Sequence, residues 1–157
     1  MLLNRNTAVL FLAQCMYVSS TVLMVTVGGI AGDALSPTPV LATLPMSLMV
    51  VGTALATIPA SLGMQRFGRR AGFAFSALLG ASACQLAVLA LQLESFALFC
   101  AAGALIGTTL GFSQQFRFAA AESVPTPMIS KAVSLILVGS IGGALLGPEL
   151  AARSPDW

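Results

Sequence analysis

The sequence predicts an all-α, polytopic membrane protein with five transmembrane helices, and three observations support this fold class. The chain of 157 residues is 57% hydrophobic and only 8% charged, whereas a soluble domain carries about 25% charged residues. Five apolar runs have the length of roughly 20 residues that a helix needs to cross a bilayer core about 30 Å thick. A short, arginine-rich turn joins two of these runs, as expected at a membrane surface.

The five predicted helices form a single transmembrane bundle, residues 1–157. The first helix resembles a signal peptide, because Arg5 precedes an apolar stretch. However, the run from Ala8 to about Ile30 exceeds 20 residues, and the apolar core of a signal peptide has roughly 7–15. We therefore interpret it as a retained helix. The predicted helices cover residues 8–29, 39–62, 71–93, 96–116 and 131–151.

The turn over residues 61–70 sets the predicted orientation of the chain. With this turn in the cytoplasm, six of the seven Lys and Arg residues fall on the cytoplasmic side, and only Arg153 falls outside. This is the distribution that the positive-inside rule requires. The sequence therefore predicts a protein integral to the inner (plasma) membrane, with its N-terminus in the cytoplasm. The six residues are Arg5, Arg66, Arg69, Arg70, Arg117 and Lys131.

The composition excludes several classes of function. Histidine is absent, which removes Ser-His-Asp catalysis and the usual zinc ligand sets. The three cysteines, Cys15, Cys84 and Cys100, are scattered through apolar runs and form no disulfide framework. A net charge of +2 without a second basic patch does not indicate nucleic acid binding. We expect no enzymatic activity, no metal, no cofactor and no nucleic acid partner.

An internal repeat is visible between the predicted helices. With an offset of 87 residues, the stretch 47–53 of the second helix aligns with 134–140 of the fifth; with an offset of 88, residues 10–13 align with 98–101. Chance similarity between apolar sequences is the alternative. A period of three helices reverses the direction of each copy, and this is the inverted repeat from which many secondary transporters are built. The third helix of the second copy would begin near residue 158, so we interpret the chain as five helices of a six-helix half bundle.

Glycines spaced by four residues mark one face on each of two helices. In lipid, small residues along one stripe let helix backbones approach closely. We expect both stripes to be packing faces, although membrane helices are rich in glycine in any case. Pro148 directly follows the second stripe and either bends the fifth helix or ends it early. The stripes are Gly103, Gly107 and Gly111 in the fourth helix and Gly139, Gly143 and Gly147 in the fifth.

Polar side chains within the spans are the candidates for contact with a solute. Gln14, Tyr17 and Thr21 are spaced i, i+3, i+7 and share one face of the first helix. Gln114 is a further candidate, but it extends the glycine stripe of the fourth helix, a position that favours a packing partner over a cavity. A polar stripe in a membrane helix faces either a cavity or another helix. Hydrogen bonding between helices, with no solute, is the alternative interpretation.

Charged residues are absent from the middle of every predicted span, so this portion of sequence contains no buried proton relay. Arg117 and Glu122 lie at the cytoplasmic end of the fourth helix. We expect them to form a charge latch, in which Glu122 pairs with an arginine of the basic turn. The alternative is that both are solvated surface charges.

The basic turn resembles a motif of the major facilitator superfamily, Gly-x-Leu-Ala-Asp-Arg-x-Gly-Arg-Arg. Arg66, Gly68, Arg69 and Arg70 match this motif, and Gln65 takes the place of the family's Asp. The resemblance implies that this turn tunes the switch between inward-open and outward-open states. Gln65 lacks the charge that, in the family, contacts a helix of the second half.

The fifth helix is similar to the antiporter-type motif of the same family, Gly-x-x-x-Gly-Pro, which Gly143, Gly147 and Pro148 match. The resemblance implies the N-terminal half of a secondary active transporter, apparently truncated after its fifth helix. Such a protein moves a small solute by alternating access. A membrane module that associates with other helices and does not transport is the alternative. The expected partners are the lipid bilayer, a small-molecule solute with proton coupling as one option, and a missing C-terminal half.

Overall fold

The computed structural model describes residues 5–152 and the side chains of residues 7–149, and six α-helices lie within this part of the chain. Arg153 and the side chain of Arg5, both used in the orientation prediction, lie outside the described residues. Short 3₁₀ turns at Pro39–Leu41 and Thr126–Met128 precede α2 and α6. The helices are α1 (Arg5–Leu35), α2 (Leu44–Phe67), α3 (Arg69–Gln92), α4 (Phe96–Ser113), α5 (Phe116–Glu122) and α6 (Ile129–Ala152).

Five stretches of helix are long and apolar enough to cross a membrane. They include the 3₁₀ turns, and the fourth combines α4 with α5. Large apolar side chains on these helices, such as Leu55, Leu78 and Leu145, are more than half exposed, which is favourable when the surrounding medium is lipid. No strand occurs between residues 5 and 152. The prediction of an all-α fold with five membrane-spanning helices is confirmed. The five stretches are Thr7–Leu35, Pro39–Phe67, Arg69–Gln92, Phe96–Glu122 and Thr126–Glu149.

The first helix ends later than predicted, at Leu35 rather than Gly29. It ends next to Pro37, because the residue before a proline is disfavoured in the helical region. Gly32 lies in the last turns of α1, where an added Cβ would overlap the carbonyl oxygen of Ala42. The missing side chain lets the chain fold back closely against the end of α1.

The turn between α2 and α3 is much shorter than the predicted loop over residues 61–70. α2 continues through Phe67 and α3 begins at Arg69, so that only Gly68 leaves the helical conformation, with φ 86° and ψ 151°. Residues 61–67 contain no proline, aspartate or asparagine that would end a helix. Gln65 and Arg66 therefore lie in the last turn of α2, and Arg69 and Arg70 in the first turn of α3.

The remaining boundaries also differ from the prediction. α4 ends at Ser113, and the predicted loop 117–130 contains the short helix α5 and a 3₁₀ turn. Pro148 lies inside α6, which continues to Ala152, so this proline does not end the helix. A proline inside a helix removes one backbone hydrogen bond and crowds the carbonyl four residues earlier, and α6 continues past this local disturbance.

The chain divides into two compact units. The terminal unit combines residues 1–23 with 113–157, so its described part contains the first half of α1 together with α5 and α6. The central unit, residues 24–112, contains the rest of α1 and helices α2 to α4. Its core packs around Phe99, which is 2% exposed; the other core residues are Met24, Ala31, Met49, Ala83, Ala90 and Ile106.

The turn between α3 and α4 is built on Glu94, whose φ of 48° lies in the left-handed region. The N–H of Ser95 donates to the carbonyl of Ala90 at 2.9 Å, which is the 6→1 hydrogen bond of a Schellman helix end. Glycine usually occupies the position that Glu94 holds, because a side chain costs about 1 kcal/mol there.

Glu94→Gly is expected to stabilise the protein by up to about 1 kcal/mol, because it removes the cost of a side chain at positive φ. The thermal unfolding midpoint in detergent measures the effect. Glu94→Gln is the control, since it removes the charge and keeps the Cβ, and it should leave the midpoint unchanged. A gain with glutamine as large as that with glycine would trace the effect to charge and contradict the backbone explanation.

Candidate functional site

The glycine stripe of α4 packs against α2 inside the central unit. An added Cβ at Gly103 would lie 2.5 Å from the carbonyl oxygen of Pro45, and one at Gly107 would overlap the carbonyl oxygen of Met49. An added Cβ at Gly111 would lie 2.9 Å from the Cβ of Ala56. The residue numbers rise together on both helices, so α2 and α4 run parallel. We call these two helices the central pair.

The glycine stripe of α6 packs against α1 inside the terminal unit. An added Cβ would lie 2.5 Å from the carbonyl oxygen of Cys15 at Gly143, and 2.9 Å from the Cβ of Val22 at Gly147. Gly139 lies against the ring of Phe11, at 3.1 Å. The numbers again rise together, so α1 and α6 run parallel, and we call them the terminal pair. Successive spans of a membrane protein run in opposite directions. The first and fifth spans therefore run parallel, and so do the second and fourth.

Side-chain donors bind the backbone carbonyls at both glycine stripes. In the central pair, the hydroxyl of Thr53 donates to the carbonyl of Gly107 at 3.0 Å. In the terminal pair, the hydroxyl of Ser19 donates to the carbonyl of Gly143 at 3.0 Å and the thiol of Cys15 to that of Gly139 at 3.1 Å. These bonds form because the absence of a glycine side chain leaves the helix backbone accessible to its neighbour.

Gln14 is the polar residue that reaches across the terminal pair. Its side chain is 6% exposed, and Nε2 donates to the hydroxyl of Ser140 on α6 at 2.9 Å. The Oε1 atom of the same amide is buried without a hydrogen-bond partner. A buried polar atom that is left unpaired costs roughly 1–3 kcal/mol. The amide of Gln14 thus combines an interhelical contact with an unused hydrogen-bonding position.

Tyr17 lies one turn after Gln14 on the same face of α1. Its ring meets that of Phe116 edge to face, with 5.4 Å between the ring centroids. Phe116 is 3% exposed and begins α5. Thr21 donates instead to the carbonyl of Tyr17 on its own helix, at 2.9 Å. Of the three predicted solute-facing residues on α1, Gln14 and Tyr17 thus contact other helices of the terminal unit.

Gln114 and the two latch residues lie around the break between α4 and α5. Arg117 donates from Nη2 to Oε1 of Gln114 at 3.1 Å, so Gln114 binds a neighbour on the chain. Arg117 and Glu122 are both exposed and lie five positions apart, which places them on different faces of α5. The charge latch stays a prediction.

The switch segment, which consists of Gln65, Arg66, Gly68, Arg69 and Arg70, surrounds the break between α2 and α3. Four of these residues are exposed and Arg69 is half-buried. The guanidinium carbon Cζ of Arg66 lies 5.8 Å from the centroid of the Phe67 ring. Met64, one turn before Gly68, is buried against Gly72 of α3. The arginines are therefore held at the end of a closely packed helical hairpin.

Around Gln14, the terminal unit offers neutral groups for binding: the amide itself, the hydroxyl groups of Ser140 and Tyr17, and the aromatic rings of Tyr17 and Phe116. Within residues 5–152, no group of three histidine, cysteine or acidic residues is placed to hold a metal ion. Two further residues of this site, Ser140 and Phe116, were not predicted from the sequence. Ser140 aligns with Thr53 in the repeat, and this alignment is the one feature of the sequence that could have indicated a role for Ser140. The sequence has no such feature for Phe116, because apolar aromatic residues are common in every span.

Three transporters are similar in sequence to this chain. The riboflavin transporter RfnT of Brucella anthropi is 37% identical over 153 residues, 98% of this chain. Two MFS-type transporters of Bacillus subtilis, YddS and YdeG, are 29% and 26% identical over 80% and 85% of the chain. No family model matches the sequence, and no solved structure matches it.

The similarity covers nearly all of this chain and a minority of each relative. The chain spans 38% of the length of RfnT, 29% of YddS and 31% of YdeG. The relatives are transporters and not enzymes. Together with five helices long and apolar enough to cross a membrane, this similarity indicates an integral membrane protein.

Proposed function

We propose that this chain, a member of the major facilitator superfamily, supplies the N-terminal helices of a secondary transporter that moves a small solute by alternating access. The observation that carries this proposal is the similarity to transporters over nearly the whole chain. The two closely packed parallel helix pairs support it. Close packing along a glycine face holds the two helices of a pair together, and alternating access is largely a movement of rigid bodies. A C-terminal half completes the transporter in this proposal, and proton coupling would require titratable groups there.

The proposed solute is a flavin or a compound like it, with riboflavin as the first candidate. RfnT is a riboflavin transporter, and it is 37% identical to this chain. The chemistry of the terminal unit fits such a solute. Riboflavin is uncharged at neutral pH, planar and rich in hydrogen-bonding atoms, and Gln14, Tyr17 and Phe116 provide an amide beside aromatic rings. A neutral solute needs no counter-ion, and the spans carry no charge at mid-depth.

The switch segment and the latch residues have proposed roles in the conformational change. The arginines of the switch segment lie on the cytoplasmic side in this proposal, because Lys and Arg accumulate there. They would favour one of the two access states through charge contacts that form at that surface. The break between α2 and α3 is only one residue long, at Gly68. The arginines on either side of it are therefore held close together, which supports this role.

Riboflavin uptake tests the proposed function. A bacterium that can neither make riboflavin nor import it is expected to grow on low riboflavin when it carries the complete gene that encodes this chain. Labelled riboflavin should accumulate in the same cells. Liposomes that contain only these 157 residues should take up none, because the proposed cavity needs both halves. Failure of growth and uptake, with the complete protein present in the membrane, would contradict the proposal.

A further inference from the structure

The amide of Gln14 has one end in use and one end free. Nε2 donates to Ser140, and Oε1 has no partner although the residue is more than nine-tenths buried. Turning the amide over exchanges oxygen and nitrogen, and the hydroxyl of Ser140 can then donate to the oxygen. One end is left without a partner in either orientation. The Ser140 hydroxyl itself also contacts the carbonyl of Ile136 on its own helix, at 3.4 Å.

The central pair shows that helix packing does not require this amide. Thr53 is the counterpart of Ser140 at the repeat offset of 87, and its hydroxyl bonds only to the backbone carbonyls of Met49 and Gly107. The counterpart of Gln14 at the offset of 88 is Ala102, which is fully buried. The hydroxyl of Thr53 thus joins its parallel, glycine-packed pair through backbone carbonyls alone, without an amide partner. The free end of Gln14 calls for an explanation other than packing.

We propose that the amide of Gln14 binds the imide edge of a planar heteroaromatic solute, an N–H group flanked by two carbonyls. Oε1 accepts from the imide N–H, and the second hydrogen of Nε2 donates to a flanking carbonyl oxygen. Ser140 holds the first hydrogen of Nε2 and thereby fixes the plane of the amide. This inference rests on the proposed function, because the flavin ring system carries such an edge.

Tyr17 is placed to contact the face of the same solute. It follows Gln14 by three residues, so its side chain lies on the same face of α1, about 4.5 Å further along the helix axis. The edge-to-face contact with Phe116 restrains its ring. The amide of Gln14 would recognise the imide edge of the solute, and the ring of Tyr17 would recognise its flat aromatic surface. Tyr17 therefore contributes affinity, and Gln14 contributes both affinity and discrimination.

Discrimination between two solutes tests the role of Gln14. The probes are riboflavin and its N3-methyl derivative, in which a methyl group replaces the imide hydrogen, each used as a competitor of labelled riboflavin uptake by the complete protein. A site built around a hydrogen bond rejects an analogue that lacks the donor. We expect the methyl derivative to compete at least about tenfold less well than riboflavin with the wild type.

Gln14→Met removes the amide and keeps the length of the side chain. It is expected to weaken riboflavin about tenfold and to bring the ratio between the two competitors close to one. Gln85→Leu is the matched control, since it removes an exposed glutamine from another span, and it should keep the wild-type ratio. Gln14→Glu, which keeps the shape and the acceptor oxygens, should still prefer the N–H compound and serves if the methionine variant does not accumulate.

The possible outcomes separate this inference from the proposed function. Absence of riboflavin uptake by the wild type would contradict the proposed function itself. Uptake with equal competition by both compounds in the wild type would overturn the imide contact without any variant. A wild-type ratio retained by Gln14→Met would show discrimination by other residues and would equally overturn it. A reduced rate of uptake by Gln14→Met with an unchanged ratio would overturn it as well, and would indicate that the residue only supports the fold.

Discussion

Gly107→Ala is expected to destabilise the protein by about 2–3 kcal/mol. The added methyl group would overlap the carbonyl oxygen of Met49 and lie 2.7 Å from its carbonyl carbon. These are backbone atoms, so no side chain can rotate away and α2 itself must move. Separation of the two helices also weakens the hydrogen bond from Thr53 to Gly107. A gain of about 1 kcal/mol in helix propensity offsets part of this cost.

The thermal unfolding midpoint in detergent measures this destabilisation, and we expect a drop of about 5–10 °C. Gly63→Ala is the matched control on α2, because no atom lies within 4 Å of its added Cβ. That variant should keep or raise the midpoint, since alanine favours helix over glycine. Equal shifts in both variants would show that the α2–α4 contact is not close, and would contradict the packing of the central pair.

The glycine spacing predicted which helix faces can pack closely, but not their partners. Gly107 and Gly143 lie on stripes that could accept any neighbouring helix, because a bare backbone offers no chemical preference. The partner is decided by loop lengths and by the fit of larger side chains such as Val18 and Val22. These depend on the whole fold and leave no periodic trace in the sequence.

Helix boundaries were harder to predict than the existence of the helices, and the switch segment shows why. Hydropathy locates the part of a helix that lies in lipid. Gln65 and Arg66 are polar, which predicts a loop, yet both have high helix propensity and continue α2. Charge marks the edge of the membrane, whereas only a backbone constraint such as that at Gly68 marks the end of a helix.

The polar residues of α1 could be predicted to share a face, but their individual contacts could not. A threonine can always bond the carbonyl one turn earlier, and Thr21 does so. Its polarity within a span therefore carries little information about a site. The larger amide of Gln14 instead reaches another helix. In a membrane span, an amide is thus a stronger indication of a functional contact than a hydroxyl.

The two parallel pairs are consistent with the predicted inverted repeat. The offset of about 87 residues carries α1 onto α4 and α2 onto α6, so it exchanges the terminal pair with the central pair. Each unit, taken by itself, contains one glycine-striped helix packed in parallel against a partner. The two striped helices are not counterparts in the repeat, since the offset relates α4 to α1 and α6 to α2, so the repeat stays a prediction. The sixth helix stays a prediction.

Gly68→Ala is expected to destabilise the protein by about 1–3 kcal/mol. With φ 86° and ψ 151°, Gly68 occupies a region of backbone conformation that is essentially restricted to glycine. No atom lies within 4 Å of an added Cβ, so the cost arises from the backbone alone. If the junction relaxes instead, the first turn of α3 rotates and carries Arg69 and Arg70 to new positions.

Asparagine separates this explanation from a simpler one. Asn tolerates the left-handed helical region, where ψ is near +47°, but the ψ of Gly68 lies about 100° away from that value. Gly68→Asn should therefore lower the thermal unfolding midpoint as much as Gly68→Ala. Gly80→Ala, whose added Cβ would make an ordinary contact of 3.6 Å with Thr109, should not lower it. A rescue by asparagine would mean that the junction adopts a left-handed turn, and the arginines of the switch segment would then project differently from α3.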